Sequence, residues 1–384
     1  MYIIPELLET IQWEPTSFCN ANCLACPRTD KETLLTLPSI VHTQRHASEP
    51  EIQSFIDSAV DPRLKELKDI TYNGNIGDAM MHPQIDKILI DIDRTRPEVC
   101  QTLHTNGGGP WAEKFEKIGQ YISDRKGDTN IRFVFSVDGL EDTNHLYRRN
   151  VQWKHIIKNA EILRKYNVNV RWRWNTFDHN KHQIDTARQM AKDWGWEFSV
   201  NHNTWGHEKV AKLLHQPSNP SLYKEKVKLW QENKFLEFRD DDYEYLSTPQ
   251  TPFKDTCIWK QDKEIQVVSD MTVWPCCWTA HHHYQYWIND EKIWNDEQVS
   301  PKSNIDVSKN LKDIKQWQKF MSIDKTKRYL DNKDIKITND HLMYDVLVSD
   351  TFKHIDNNLK TNGTFNLDLC SETCRQIHKA SVSQ

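Results

Sequence analysis

Strand-like and helix-like segments alternate along the first half of the chain, and this rhythm limits the folds open to it. Six short apolar runs read as strands: Thr10–Trp13, Asp69–Tyr72, Val99–His104, Ile131–Val137, Val168–Trp174 and Glu197–Val200. Helical periodicity fills the gaps between them. In Trp153–Tyr166 the apolar residues Ile156, Ile157, Ala160 and Leu163 share one face, as do Ala187, Met190, Ala191 and Trp194 in the stretch from Asn175 to Trp194. Six strand–helix units imply an α/β fold, a parallel sheet with right-handed crossovers that is closed or nearly closed into a barrel. Such sheets carry their chemistry at the C-terminal ends of the strands.

The rhythm fades after residue 205. Residues 206–255 are polar and largely helical in pattern, punctuated by Pro217, Pro220, Pro249 and Pro252, and read as a bridge. From 256 to 384 the βα alternation is lost and a smaller second domain is expected. Apolar residues make up only 37% of the chain, but 15 Trp, 13 Phe and 12 Tyr supply enough burial per residue to argue against disorder. A net charge of -5 gives no global case for nucleic acid or an anionic membrane. Basic clusters such as Arg148-Arg149 are local. No apolar run approaches the roughly 18 residues of a membrane span. The first ten residues lack the basic and long apolar regions of a signal peptide. A cytoplasmic protein is expected, whose nine cysteines stay reduced and, where clustered, read as metal ligands.

Three of those cysteines follow the first strand directly, in the run Cys19-Asn-Ala-Asn-Cys23-Leu-Ala-Cys26, with Cys100 the next in the chain. Full [4Fe–4S] cubes are held by four cysteines. Three thiolates on one loop therefore imply either a different metal, such as zinc, or an iron kept open for a small molecule. Further motifs stand at successive strand ends. Asn73-Gly74-Asn75-Ile-Gly77-Asp78-Ala79 leads on to Pro83 after the second strand. Thr105-Asn106-Gly107 follows the third, and Ser136-Val-Asp138-Gly139 ends the fourth with Arg148 downstream. Singly, the glycine-bearing pieces suit ordinary turns.

Taken in this order the four motifs resemble the radical S-adenosylmethionine (radical SAM) superfamily. The resemblance implies a partial (βα)6 TIM-like barrel. Cys19, Cys23 and Cys26 would hold a [4Fe–4S] cluster whose open iron chelates S-adenosyl-L-methionine. Cofactor contacts would fall to Gly74, Asn75, Gly77, Asp78, Thr105, Asn106, Ser136 and Asp138. Reductive cleavage of the sulfonium would give methionine and a 5′-deoxyadenosyl radical that takes hydrogen from a substrate. The sequence also departs from the family. Ala25 stands where an aromatic usually precedes the third cysteine, and Asp78-Ala79 replaces Glu-Pro.

In the strand Val170-Arg-Trp-Arg-Trp-Asn175, Arg171 and Arg173 share one face and Trp172 and Trp174 the other. With the tryptophans against the outer helices, the arginines face the barrel interior. There they would either pair with a cofactor carboxylate or join a structural ion-pair network.

A second cysteine set, Cys257, Cys276, Cys277, Cys370 and Cys374, spans a segment that resembles the SPASM auxiliary-cluster domain or its shorter twitch form. The segment from Cys257 to Cys276-Cys277 reads as a β-hairpin with a thiolate at each end, and Met271 stands where the family has a glycine. Five cysteines are too few for two clusters, so the resemblance implies one auxiliary [4Fe–4S] cluster on Cys257, Cys276, Cys370 and Cys374, in a small α+β domain. Cys277 would be spare or would substitute for Cys276, and a four-cysteine zinc site fits the same count. Asn304-Ile and Leu311–Trp317 also resemble that domain. Cys100 reads as a core thiol, and His281–His283 as an exposed loop.

The implied enzyme acts on a peptide or protein side chain, or dehydrogenates a small molecule. It would draw electrons from a low-potential donor such as flavodoxin or ferredoxin. No nucleic-acid or membrane partner is expected. A barrel that uses SAM for methyl transfer is a further rival, disfavoured because no obvious cobalamin domain is evident. A non-catalytic iron–sulfur or zinc protein that binds a partner is the alternative from a different class.

Overall fold

The structure, a computed structural model, describes residues 4–74, 76–126, 129–202, 207–233, 263–274, 322–324, 327–328 and 333–353. Its centre is one eight-stranded sheet. The strands are β1 (Thr10–Trp13), β2 (Asp69–Tyr72), β3 (Cys100–Thr105), β4 (Ile131–Ser136), β5 (Val170–Asn175), β6 (Glu197–Asn201), β7 (Glu264–Val267) and β8 (Val273–Trp274). They lie in the order β8-β7-β1-β2-β3-β4-β5-β6. Neighbours are parallel except for the β7–β8 hairpin.

Five crossover helices separate the first six strands: α1 (Glu49–Ala59), α2 (Ile85–Thr95), α3 (Ala112–Asp124), α4 (Trp153–Lys165) and α5 (Ile184–Asp193). Each forms because an apolar stripe recurs at helical spacing and finds a sheet face to cover. In α2 the buried Ile85, Ile88, Leu89 and Ile92 fall at i, i+3, i+4 and i+7. The start of α1 is fixed by the Glu51 carboxylate, which accepts from the Ser48 N–H at 2.7 Å. In α4 the buried set is Ile156, Asn159, Ala160 and Leu163, with Ile157 only half-buried.

Aromatic side chains fill the layer between sheet and helices. Trp13 of β1 stacks on Phe55 of α1 at 3.6 Å between centroids, and Phe133 of β4 meets Phe115 of α3 at 5.4 Å. Trp172 of β5 stacks on Trp194, just beyond α5, at 5.5 Å. Burying each ring contributes about 1.5–3 kcal/mol. The tryptophans of β5 thus take the helix side, as the alternation predicts. Arg171 and Arg173 lie on the other face with Arg132, whose Nε donates to Thr102 Oγ1 at 2.7 Å.

The barrel expected from six strand–helix units is not closed among the described residues: β6 and β8 are the two edges of the sheet. The physical reason lies in β7. Its four residues are all buried, and it pairs with β1 from Thr10↔Glu264 to Trp13↔Val267. The backbone groups that β1 would offer as an edge are thereby satisfied by a strand from the C-terminal part of the chain. In the β7–β8 turn Met271 takes φ +67, a left-handed conformation that glycine adopts without steric cost. Its side chain is buried, which offsets that strain.

Helices at His207–Leu213 and Pro220–Asn233 follow β6, in the stretch read as a bridge. The second is tied to the segment after the cysteine loop by Lys226, whose Nζ reaches Asp30 Oδ2 at 2.7 Å. Helix Met343–Val348 docks on α1, where the Met343 N–H donates to Ser58 Oγ at 3.0 Å and Arg63 pairs with Asp345 at 2.8 Å. No described helix is long and apolar enough to cross a membrane.

Candidate active site

Directly after β1 stands Glu14, a fully buried carboxylate. Its Oε1 accepts from the Ile76 N–H at 2.8 Å and the Gly77 N–H at 2.6 Å, pulling the glycine loop after β2 across the end of β1. Contact there is too close for a side chain: a Cβ on Gly77 would lie 1.8 Å from the Thr16 carbonyl oxygen. The loop continues with the Asp78 N–H donating to Phe18 O at 2.8 Å, one residue before Cys19.

Asp78 is buried and its carboxylate is fully engaged. Oδ2 accepts from Thr105 Oγ1 at 3.0 Å and from both the N–H and the Nδ2 of Asn106 at 2.8 Å, while Oδ1 accepts from the Met80 N–H at 3.0 Å. Desolvation nevertheless raises its pKa. Asn106 is held in turn so that Nδ2 reaches Asn20 Oδ1 at 2.8 Å and lies 4.0 Å from Cys19 Sγ. Behind it, Asn159 of α4 donates to the carbonyls of Gly107 and Gly109 at 2.8 and 2.9 Å, fixing the loop after β3.

The other side of the cysteine loop is built the same way. Asn22 and Cys23 pair antiparallel with Arg149 and Arg148. Arg148 places Nη1 3.8 Å from Cys23 Sγ and pairs with Asp138 at 2.7 Å, a carboxylate with no solvent exposure. Asp138 Oδ1 also accepts from the Asn175 N–H at the end of β5, at 2.7 Å. The turn closes with the Cys26 N–H donating to Cys23 O at 3.0 Å, and Lys31 Nζ caps it by donating to Leu24 O and Cys26 O at 2.7 and 3.0 Å.

Burial pushes the Cys19 thiol up to about 12, opposed by the charge of Arg28. Cys23 rises to about 11 for the same reason, opposed by Arg148. Cys23 also raises Cys19, and Cys26 raises Cys23, so the thiols sense one another across a shared space. Among the described residues no three His, Cys, Asp or Glu side chains gather into a site for a single metal ion. Three thiols on one loop are a donor set that suits an iron–sulfur cluster, which is held by cysteine thiolates. Two guanidiniums beside them, Arg28 and Arg148, suit a centre of negative charge.

The structure thus brings Cys19, Cys23 and Cys26 together with Gly74, Gly77, Asp78, Thr105, Asn106 and Asp138 at the C-terminal ends of β1–β5. Ser136 ends β4, half-buried, beside Arg173 of β5. Arg171 is not drawn into this network: it is exposed and pairs with Glu197 of β6 at 2.7 Å. Arg173 is also exposed. Together with Arg171 and Arg132 it helps depress the nearby His104 to about 4, after the larger effect of burial. Asn75 and the cysteines at 257, 276, 277, 370 and 374 lie outside the described residues. So do His281–His283 and the stretches from Asn304 and Leu311.

Sequence reasoning missed Glu14, Arg28, Tyr147 and Asn159. Glu14 and Arg28 had a signal, since they flank the triad at the strand end and at Cys26-Pro27-Arg28. Tyr147 had none. It accepts from the Leu24 N–H through its carbonyl at 3.2 Å and packs its ring on Phe177 at 4.5 Å.

No protein-family model and no curated protein sequence matches this chain. Solved structures give faint likenesses. SuiB of Streptococcus suis bound to S-adenosylmethionine aligns at 11% identity and a TM-score of 0.45, covering 74% of this chain and 67% of that one. SuiB bound to its precursor peptide SuiA gives 13%, 0.46, 78% and 69%. BtrN in complex with AdoMet and 2-DOIA gives 10%, 0.37, 77% and 85%. Scores this low fix neither the family nor the activity of this chain.

Proposed function

We propose that this chain is a radical SAM enzyme whose cysteine loop, Cys19, Cys23 and Cys26, holds a [4Fe–4S] cluster with one iron left open for S-adenosylmethionine. One observation carries the reading: two buried hydrogen-bond chains converge on the loop. Asp78 and Asn106 reach Cys19, while Asp138 and Arg148 reach Cys23. Motifs far apart in sequence thereby become one site.

When bound, such a centre supplies the one-electron cleavage of a sulfonium, and the protein supplies positioning and exclusion of water. Glu14 and Gly77 hold the glycine loop against the cysteine loop, and in this reading Gly74, Gly77 and Asp78 of that loop would meet the cofactor's amino acid end. Asp78 keeps Asn106 turned toward Cys19. Ser136 and Arg173, paired at the ends of β4 and β5, would in this reading meet the cofactor or the substrate, whereas the pairing of Arg171 with Glu197 favours a structural role for it. Ala25 stands in the usual aromatic position, and the rings of Tyr147 and Phe177 are buried against each other. Burial favours the protonated thiols of Cys19 and Cys23 in the metal-free fold, so cluster loading must release their protons.

The substrate we propose is a peptide or protein side chain, with a small molecule as the second possibility. The auxiliary cluster on Cys257, Cys276, Cys370 and Cys374, and a flavodoxin- or ferredoxin-type donor, belong to the same proposal. Anaerobic reconstitution followed by iron and zinc analysis tests it. About eight irons per chain, two cubes' worth, are expected, falling by half in a Cys19→Ala/Cys23→Ala/Cys26→Ala variant. One zinc per chain with no iron would overturn the reading in favour of a non-catalytic metal protein.

A further inference from the structure

Arg28 differs from every other arginine around the site. Its side chain is only 2% exposed, yet its single hydrogen bond among the described residues runs from Nη1 to the carbonyl of Ile76 at 2.6 Å. Its Nε is buried with no partner. Arg148, a guanidinium largely but not fully enclosed, has its charge met by Asp138 at 2.7 Å. Among the described residues no carboxylate pairs with Arg28. A guanidinium cannot shed its proton to escape this situation, and a buried charge without a counter-ion is costly. An anion therefore belongs beside it. The cysteine loop ends only two residues before Arg28, at Cys26, and the Arg28 charge acts on the thiols of Cys19 and Cys23.

We infer that Arg28 is the counter-charge of the three-thiolate centre: a buried guanidinium with a free Nε that stabilises negative charge on the cysteine loop and on the cluster it would hold. The inference rests on the function proposed above. Arg148 supports the loop mainly through shape, because Asp138 already balances it. Arg28 contributes net positive charge. It therefore favours the reduced, more negative state of a bound cluster and raises its midpoint potential. Arg28 is a positioning and tuning residue and takes no part in the chemistry itself.

The test compares full-length wild type, Arg28→Gln, Arg28→Lys and Arg94→Gln, an exposed control on α2, all reconstituted anaerobically. Iron per chain and the midpoint potential, followed by electron paramagnetic resonance, are the readouts. Arg28→Gln is expected to lose about tenfold in preference for the reduced state, ~59 mV toward negative potential for one electron. Arg28→Lys, which keeps the charge, and Arg94→Gln should stay at the wild-type value. If Arg28→Gln fails to hold iron, Arg28→Lys decides: wild-type iron and potential uphold the counter-charge, and equal loss overturns it in favour of shape alone. A loaded Arg28→Gln with unchanged potential overturns the inference by itself. A wild type that takes up no iron overturns the proposed function as well, and that failure is visible in the wild-type arm alone.

Discussion

Arg148 and Arg171 make ion pairs of identical length, 2.7 Å, to Asp138 and Glu197, and the two pairs do different work. The first is almost sealed from solvent, with side chains 12% and 0% exposed, while the second stands in water at 53% and 60%. Exposed pairs contribute about 0–1 kcal/mol. Breaking a buried pair from one side costs roughly 3–5 kcal/mol because it strands the other charge. The chain thus places an unforgiving interaction where the cysteine loop must be held, and a weak one on the open face of the sheet.

The largest expected effect in this contrast comes from Asp138→Ala. It should destabilise the fold by about 3–5 kcal/mol in denaturant unfolding and loosen the Cys23 side of the loop. An unfolding midpoint equal to that of wild type would show that the buried pair is not what anchors the loop. Gly77→Ala comes next, because its new Cβ cannot coexist with the Thr16 carbonyl. The glycine loop must then shift, and a loss of roughly 1–3 kcal/mol follows, the range for forced repacking. A wild-type melting curve would refute the close approach.

Protons set the third effect. Burial holds Cys19 and Cys23 near 12 and 11, so both thiols carry protons at neutral pH. Metal must displace them, and apparent affinity for a thiophilic metal should rise as pH increases toward those values and fall as it decreases. Competition titrations with a chelator across the pH range would expose a flat profile, which contradicts buried protonated thiols. The smallest effect belongs to Glu197→Ala, expected to change stability by about 0–1 kcal/mol. A loss as large as that of Asp138→Ala would mean the open face of β5 and β6 is covered in solution.

Much of this architecture was legible in the residues. The strand starts at Thr10, Asp69, Ile131 and Glu197 coincide with the expected ones, because period-two runs between turn signals are local information. The sides taken by Trp172 and Arg171 followed from the same alternation. Closure did not, since β7 is four residues whose partner, β1, lies near the other end of the chain, and no local pattern announces such a pairing. The site was legible in position more than in partnership. The motifs put Asp78 and Asp138 at strand ends, but only the folded chain shows both carboxylates consumed by Asn106 and Arg148. Glu14 and Arg28 carry no motif of their own, and their roles arise from burial.

The central claim is that the Cys19, Cys23 and Cys26 loop binds a cluster that opens S-adenosylmethionine. The most direct measurement is 5′-deoxyadenosine formed from S-adenosylmethionine by the anaerobically reconstituted, dithionite-reduced protein, quantified by mass spectrometry. The account predicts 5′-deoxyadenosine from the wild type and none above background from Cys23→Ala. Iron-loaded wild type that leaves S-adenosylmethionine intact, or a Cys23→Ala variant that cleaves it equally well, would contradict it.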